Sequence, residues 1–175
     1  MTLVPVLETP RLILRGYRME DFPAFARIWM EPDVVRFITK KPQTEEESWG
    51  RFLRNIGHWS LMGKGFWLIE DKAAGEQLGQ TGFVEGKRAI VPSLRGEPEI
   101  GWSLKTSAQG KGYALEAVTA ALAWGQTRFG RVRTNCIIEL GNAASMKLAE
   151  RAGFRPALDT VYHDAPVRLF HRDPD

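Results

Sequence analysis

Six consecutive residues, Gln109-Gly110-Lys111-Gly112-Tyr113-Ala114, carry the strongest chemical signal in the chain. They lie between a strand-like run, Glu99 to Leu104, and a helix-like run, Lys111 to Phe129. A glycine turn that feeds a helix leaves several backbone N–H groups without intrahelical partners, and the helix end adds partial positive charge. Residues without side chains let that backbone close around an anion. The stretch therefore reads as a cradle for phosphate or pyrophosphate. The dinucleotide fingerprint G-x-G-x-x-G/A fails here, because Leu115 stands where the third small residue belongs. The Walker pattern fails as well: Gly57 lies one residue too far from Gly63-Lys64, and Gly65 replaces the Ser or Thr. A third spacing, Gln/Arg-x-x-Gly-x-Gly/Ala, is met by Gln109, Gly112 and Ala114. A tight turn that holds no ligand is the other reading of the same six residues.

The surrounding elements must position that loop. Alternation from Arg11 to Tyr17 predicts a first strand. Asp21 to Met30 reads as a helix with Phe22, Phe25, Ile28 and Trp29 on one face. Thr44-Glu45-Glu46-Glu47 has the spacing of a capping box. A second helix should start there, run through Trp49, Phe52, Leu53 and Ile56, and stop before Gly63. Phe66 to Asp71 and Gln77 to Gly86 read as a hairpin pair, Arg88 to Pro98 as a loop, and Glu97 to Lys105 as a central strand. The third helix, Lys111 to Phe129, turns Leu115, Val118, Leu122 and Phe129 inward and stops at Gly130. Val132 to Ile138 is the next strand, Asn142 caps a short fourth helix that ends at Gly153, and Phe154 to Tyr162 and Val167 to Arg172 complete the sheet. No repeat or linker divides the chain, so the class is mixed α/β with a single sheet in one domain.

Composition narrows the function. At 43% hydrophobic residues, the 175-residue chain has enough apolar material for one core, which argues against disorder. The formal charge of +3 is spread along the chain without a run of five like charges, which argues against a nucleic-acid tail. It suits a polyanionic ligand, or solubility alone. The lone Cys136 cannot form an internal disulfide and reads as a small core hydrophobe. Three scattered histidines and one cysteine give no metal-ligand spacing, so no metal is expected. Without a basic-then-apolar leader or an apolar run approaching ~18 residues, the expectation is a cytoplasmic protein with no membrane partner.

Several blocks together resemble a known family. The Gln109 to Ala114 loop is similar to the acetyl-coenzyme A loop of the GNAT acyltransferases. Glu8-Thr9-Pro10-Arg11-Leu12-Ile13-Leu14-Arg15 resembles the opening strand of the RimJ/RimL branch, which includes the ribosomal-protein N-terminal acetyltransferases. Glu99-Ile100-Gly101-Trp102 resembles its central strand. Asn142-Ala143-Ala144-Ser145 and Glu150-Arg151-Ala152-Gly153-Phe154 resemble its late helix and the strand after it. The blocks keep the family's order over nearly the whole chain. The resemblance implies a GNAT domain over residues 8–172: a twisted, mostly antiparallel sheet of about six or seven strands flanked by about four helices, splayed open beyond the central strand.

The activity implied is transfer of an acetyl group from acetyl-coenzyme A to a primary amine in a ternary complex. The acceptor is a protein N-terminus or a small-molecule amine, such as an amino sugar, a polyamine or an amino-acid-like metabolite. The enzyme would be a monomer or a homodimer. Backbone groups of Trp102, Ser103 and Leu104 would pair with the pantetheine arm. Gln109, Gly110, Lys111, Gly112, Tyr113 and Ala114 would hold the phosphates, and the helix end at Asn142 and Ser145 would face the cofactor. Lys147 and Arg151 would reach the adenosine phosphates, or only water. Many family members place a tyrosine about five residues before the Gly-Phe pair; this chain has Ala149 there. In the resembled branch a serine at the Ser145 position donates to the leaving sulfur. Glu99 shares a strand face with Gly101 and Ser103 and is the candidate to accept the amine's proton, directly or through water. A structural or substrate-orienting carboxylate is the other reading of Glu99, and His163 is a weaker base candidate. An inactive acyl-coenzyme A-binding module used for regulation is the alternative from a different functional class.

Overall fold

Short apolar runs bounded by glycine turns build one sheet in the spatial order β1-β2-β3-β4-β5-β6-β8-β7. The strands are β1 (Leu7–Glu8), β2 (Leu12–Arg15), β3 (Phe66–Asp71), β4 (Gln77–Val84), β5 (Glu99–Leu104), β6 (Thr134–Glu139), β7 (Arg155–Tyr162) and β8 (Ala165–Arg172). The helices are α1 (Phe22–Met30), α2 (Pro32–Val35), α3 (Glu45–Met62), α4 (Tyr113–Phe129) and α5 (Ala143–Arg151). This computed structural model describes residues 4–174. Every neighbouring pair is antiparallel except β5 and β6. The sheet thus has eight strands rather than six or seven, because Leu7–Glu8 adds an edge strand too short to read from alternation. There are five α-helices rather than about four, because the four-residue α2 follows α1 after a break at Glu31.

Strand alternation divides the core. Ile100 and Leu104 of β5 join Phe83, Cys136 and Phe170 on one face, beneath Ala117, Val118, Ala121 and Leu122 of α4 and Ala149 of α5. Cys136 is buried and burial pushes its thiol up, as a core side chain requires. The opposite face carries Glu99, Gly101 and Ser103. There α1, α2 and α3 pack through Phe25, Trp29, Val35 and Phe52.

The capping box opens α3 as expected. The Glu47 N–H donates to Thr44 Oγ1 at 3.2 Å and the Thr44 N–H donates to the Glu47 carboxylate at 2.8 Å. Its inward stripe is not its most apolar one. Leu53 and Ile56 are exposed, and Ser48, Phe52, Asn55 and Trp59 face the core. Asn55 tolerates burial because its amide donates to Gln80 Oε1 at 2.9 Å and to the Tyr17 hydroxyl at 3.3 Å. The third predicted helix starts at Tyr113 rather than Lys111, with Gly112 at φ 80° as its N-cap.

Arg15 ties the start of the chain to the sheet. Its guanidinium donates to both Asp21 oxygens at 2.8 Å and to Glu70 at 2.6 Å. Burial alone would push the Asp21 carboxyl up; hydrogen bonds from Arg15 and the Arg18 N–H outweigh that and hold it below the usual range. A depressed folded-state pKa adds stability above the unfolded value of about 3.9, and the gain disappears as pH falls through the folded value. Asp21→Asn should cost about 2–3 kcal/mol at neutral pH and flatten the fall in melting temperature below about pH 4. Thermal melts from pH 7 to pH 3 measure both.

Candidate active site

The glycine loop sits where β5 ends. After a short 3-10 turn, Thr106–Ala108, the chain reverses through Gly110 (φ 73°) and Gly112 (φ 80°) into α4. Both glycines are in left-handed backbone that side chains disfavour. Among the described residues, the backbone N–H groups of Gly110, Lys111, Gly112, Tyr113 and Ala114 meet no protein acceptor. Exposed donors at a helix N-terminus are what an anion needs. The Gln109 amide donates to the Leu104 carbonyl at 3.0 Å, fastening the loop to the strand before it. Lys111 is exposed.

A network that no local pattern reveals buttresses the loop. Arg11 donates from Nε to Glu116 Oε2 at 2.7 Å, from its backbone N–H to Glu116 Oε1 at 2.9 Å, and from Nη1 to the Lys111 carbonyl at 2.9 Å. The Thr9 hydroxyl adds a bond of 2.6 Å to Glu116 Oε1. The Arg11 guanidinium also lies 4.4 Å from the Tyr113 ring centre. Burial works against the charged Glu116 carboxyl, but Thr9 and Arg11 prevail and hold it low. Thr9-Pro10-Arg11 is thus a brace for the glycine loop. Arg11→Ala should weaken coenzyme A binding about tenfold while the protein stays folded, because it removes a charge-assisted bond to the loop. Titration calorimetry and a thermal melt on the same sample check this.

The sheet opens beside the loop. β5 and β6 pair at a single register, Glu99 with Asn135, supported by the Asn135 N–H donating to the Pro98 carbonyl at 2.9 Å. On its other edge β5 pairs with β4 throughout. The Lys105 N–H donates to the Leu78 carbonyl on β4, so by alternation Gly101 and Ser103 direct their main chain to β4. Ile100, Trp102 and Leu104 direct theirs into the split. Ser103 therefore offers only its side chain there; its buried Oγ has no partner among the described residues.

Across the split stands the start of α5. Asn142 Oδ1 accepts the Ser145 N–H at 3.1 Å, an N-cap. Ser145 Oγ in turn accepts the indole N–H of Trp102 at 3.3 Å. One hydrogen bond thus joins the central strand to the late helix, and the serine hydroxyl keeps its own hydrogen to donate. Glu99 is buried and clamped by Arg88, which donates to its two oxygens at 2.7–2.9 Å. Arg88 also lies 4.9 Å from the Tyr162 ring centre. His163 sits in the β7–β8 turn at φ 49° and packs against Tyr162. Lys147 and Arg151 are exposed on α5. The structure brings Trp102, Ser145 and Asn142 together and leaves Glu99 on the opposite face, paired with an arginine from the irregular 85–98 segment.

A split sheet with a donor-lined glycine loop at the end of its central strand has the form that a phosphorylated, extended cofactor requires. The acetyltransferase (GNAT) domain family matches residues 11–155, and the chain belongs to that family; it is an acetyl-coenzyme A-dependent acetyltransferase. It is 30% identical over 166 residues to the uncharacterised N-acetyltransferase p20 of Bacillus licheniformis, covering 93% of this chain and 90% of that one. A Bordetella pertussis protein assigned to the GNAT acetyltransferases superposes with a TM-score of 0.85 at 32% identity, over 96% of this chain and 99% of the other. RimL, a ribosomal L7/L12 alpha-N-protein acetyltransferase solved with coenzyme A, shares the fold at a TM-score of 0.77 and 19% identity, over 98% of this chain and 99% of its own.

Proposed function

We propose that this enzyme transfers acetyl to a primary amine that enters from the face bearing Glu99 and Ser103, by direct attack in a ternary complex. The observation that carries the proposal is the single-register split between β5 and β6, bordered by Trp102 and Ser145. Acetyl-coenzyme A supplies the acetyl group, activated as a thioester. The free N–H groups of Gly110 to Ala114 hold its phosphates, and the main chain of Trp102 and Leu104 aligns the extended arm as an added strand would. A main-chain N–H of β5 polarises the carbonyl as negative charge develops on its oxygen. The transfer forms an N–C bond and breaks the C–S bond; nitrogen loses a proton and sulfur gains one.

Ser145 donates its hydroxyl hydrogen to the departing sulfur, with Trp102 orienting the oxygen. Glu99 has an oxygen lone pair left beyond its bonds to Arg88. It orients the arriving amine or the water that takes its proton. No helix among the described residues is long and apolar enough to cross a membrane. We place the enzyme in the cytoplasm, where acetyl-coenzyme A is made available to it, as a monomer or homodimer. Mixing the protein with acetyl-coenzyme A and a panel of peptide N-termini and small amines, and following free thiol, tests the reading. Amine-dependent thiol release is expected. Binding of acetyl-coenzyme A without release for any amine would make the chain a non-catalytic acyl-coenzyme A module.

A further inference from the structure

The acceptor side of the split is a walled cleft. Its floor is the edge of β5 and β6, with Ser103 Oγ and Asn135 Oδ1 both buried and without partners among the described residues. One wall is the α1–α2 corner and the turn after α2, which reach across the split: Glu31 accepts the Thr106 N–H at 2.8 Å, Lys40 pairs with Glu139, and Phe37 packs against Gly141. A second wall is the 85–98 segment, held by Arg88 on Glu99 and by Ile90 against Val167 and Leu169. The third is a flank of α3. Arg51 and His58 lie seven residues apart on that flank, one turn to either side of Asn55, which donates to Gln80 opposite Ser103.

Arg51 is the unusual group on this flank. Its guanidinium lies 3.9 Å from the Trp29 ring centre, and its Nε donates to Gln43 Oε1 at 3.0 Å. No carboxylate among the described residues pairs with it. Glu47, one turn earlier on α3, is engaged instead by the Thr44 N–H and by Lys41. Burial, and then the neighbouring Arg54, lower Arg51 to about 10, and the more distant charges of Tyr17 and Glu47 only partly oppose them. Stacking on Trp29 offsets part of that cost but satisfies none of the terminal N–H donors. The Arg51 charge also acts electrostatically on the Tyr17 hydroxyl. That hydroxyl donates to Gln80, the residue paired with Ser103 on the floor.

We propose that Arg51 recognises an anion on the acceptor, and that the acceptor is a small amine carrying a carboxylate, of amino-acid type. The inference rests on the acetyl-transfer reading above and deepens it. With Nε occupied by Gln43, the guanidinium presents its two terminal nitrogens as a fork, which a carboxylate meets in a bidentate pair. One half-buried positive charge balances a monoanion; a phosphate would bring nearly twice the charge. Ion pairs tie the walls to the floor on both sides of the split, at Lys40–Glu139 and Arg88–Glu99. Such a cleft suits a compact acceptor better than a chain that must run through it.

Thiol release from acetyl-coenzyme A, measured for α-amino acids, their primary amides and the matching amines without a carboxylate, tests the assignment. Wild-type enzyme should favour the best acid over its own amide by about 10- to 100-fold in kcat/KM. Arg51→Gln should bring that ratio to about 1. Arg51→Lys, which keeps the charge and loses the fork, should fall between the two and carries the test if Arg51→Gln does not fold. A wild-type ratio near 1, a ratio that survives in the variants, or use of peptides in preference to every acid overturns the proposal. Acetyl-coenzyme A binding without thiol release for any amine removes the acetyl-transfer reading itself, and the proposal with it.

Discussion

Replacing Gly112 with valine is expected to weaken coenzyme A binding by at least about 100-fold, a loss of roughly 3 kcal/mol. Three effects add. Gly112 sits at φ 80°, where a side chain costs about 1–2 kcal/mol and a β-branched one more. A Cβ at this position comes within 3.3 Å of Arg11 Nη2. That guanidinium cannot yield easily, because Glu116 and the Lys111 carbonyl hold it. Branches beyond Cβ would also crowd the exposed N–H groups of the loop. Gly110 is the informative contrast. Its φ is 73°, but a Cβ there has no neighbour within 4 Å. Gly110→Ala should therefore show only the backbone term, about a tenfold loss or less. Calorimetry with coenzyme A ranks the two, and a melt on each variant separates lost binding from lost fold. Unchanged affinity in Gly112→Val would sink the view that this loop grips the phosphates.

The loop was legible because its signal is local. Glycines at fixed spacing between a strand and a helix state their own backbone conformation, and the same holds for the Thr44 cap and the Asn142 cap. The brace on the loop was hidden for the opposite reason. Arg11 and Glu116 are 105 residues apart, and neither has a neighbour in sequence that marks the pair. The Thr9-Pro10-Arg11 block was visible as a resemblance, but its physical role needed the fold. Glu99 shows the same limit. Alternation placed its face correctly, yet its arginine partner lies in the 85–98 segment, which has no periodicity to read. The inner stripe of α3 is not marked by apolar character. Leu53 and Ile56 are exposed while Asn55 is buried, and only the Tyr17 and Gln80 partners explain that exchange. Arg51 belongs to the same class: an arginine on a helix looks solvated until Trp29 and Gln43 are seen to hold it.

Ser145→Ala should lower kcat about 100-fold and leave acetyl-coenzyme A affinity nearly unchanged, since a positioned proton donor contributes about 10²–10⁴-fold to rate. The substitution isolates the hydroxyl. The N-cap bond at this residue runs from its backbone N–H to Asn142 Oδ1, and alanine keeps it. Helix α5 therefore stays capped, whereas Asn142→Ala would cost about 1 kcal/mol of stability. Trp102→Phe removes the indole N–H that fixes the serine oxygen and should lower kcat less, about tenfold, because the hydroxyl survives without its orienting partner. An acyl donor with a more acidic thiol supplies a further discriminator. Its sulfur needs less help to depart, so the deficit of Ser145→Ala should shrink with that donor if the hydroxyl serves the leaving group. A deficit of equal size with both donors would place Ser145 elsewhere in the reaction, and a wild-type rate at saturating substrates would remove it from the chemistry. In that case the split between β5 and β6 would still align the acyl donor, and departure of the sulfur would depend on solvent reaching the start of α5.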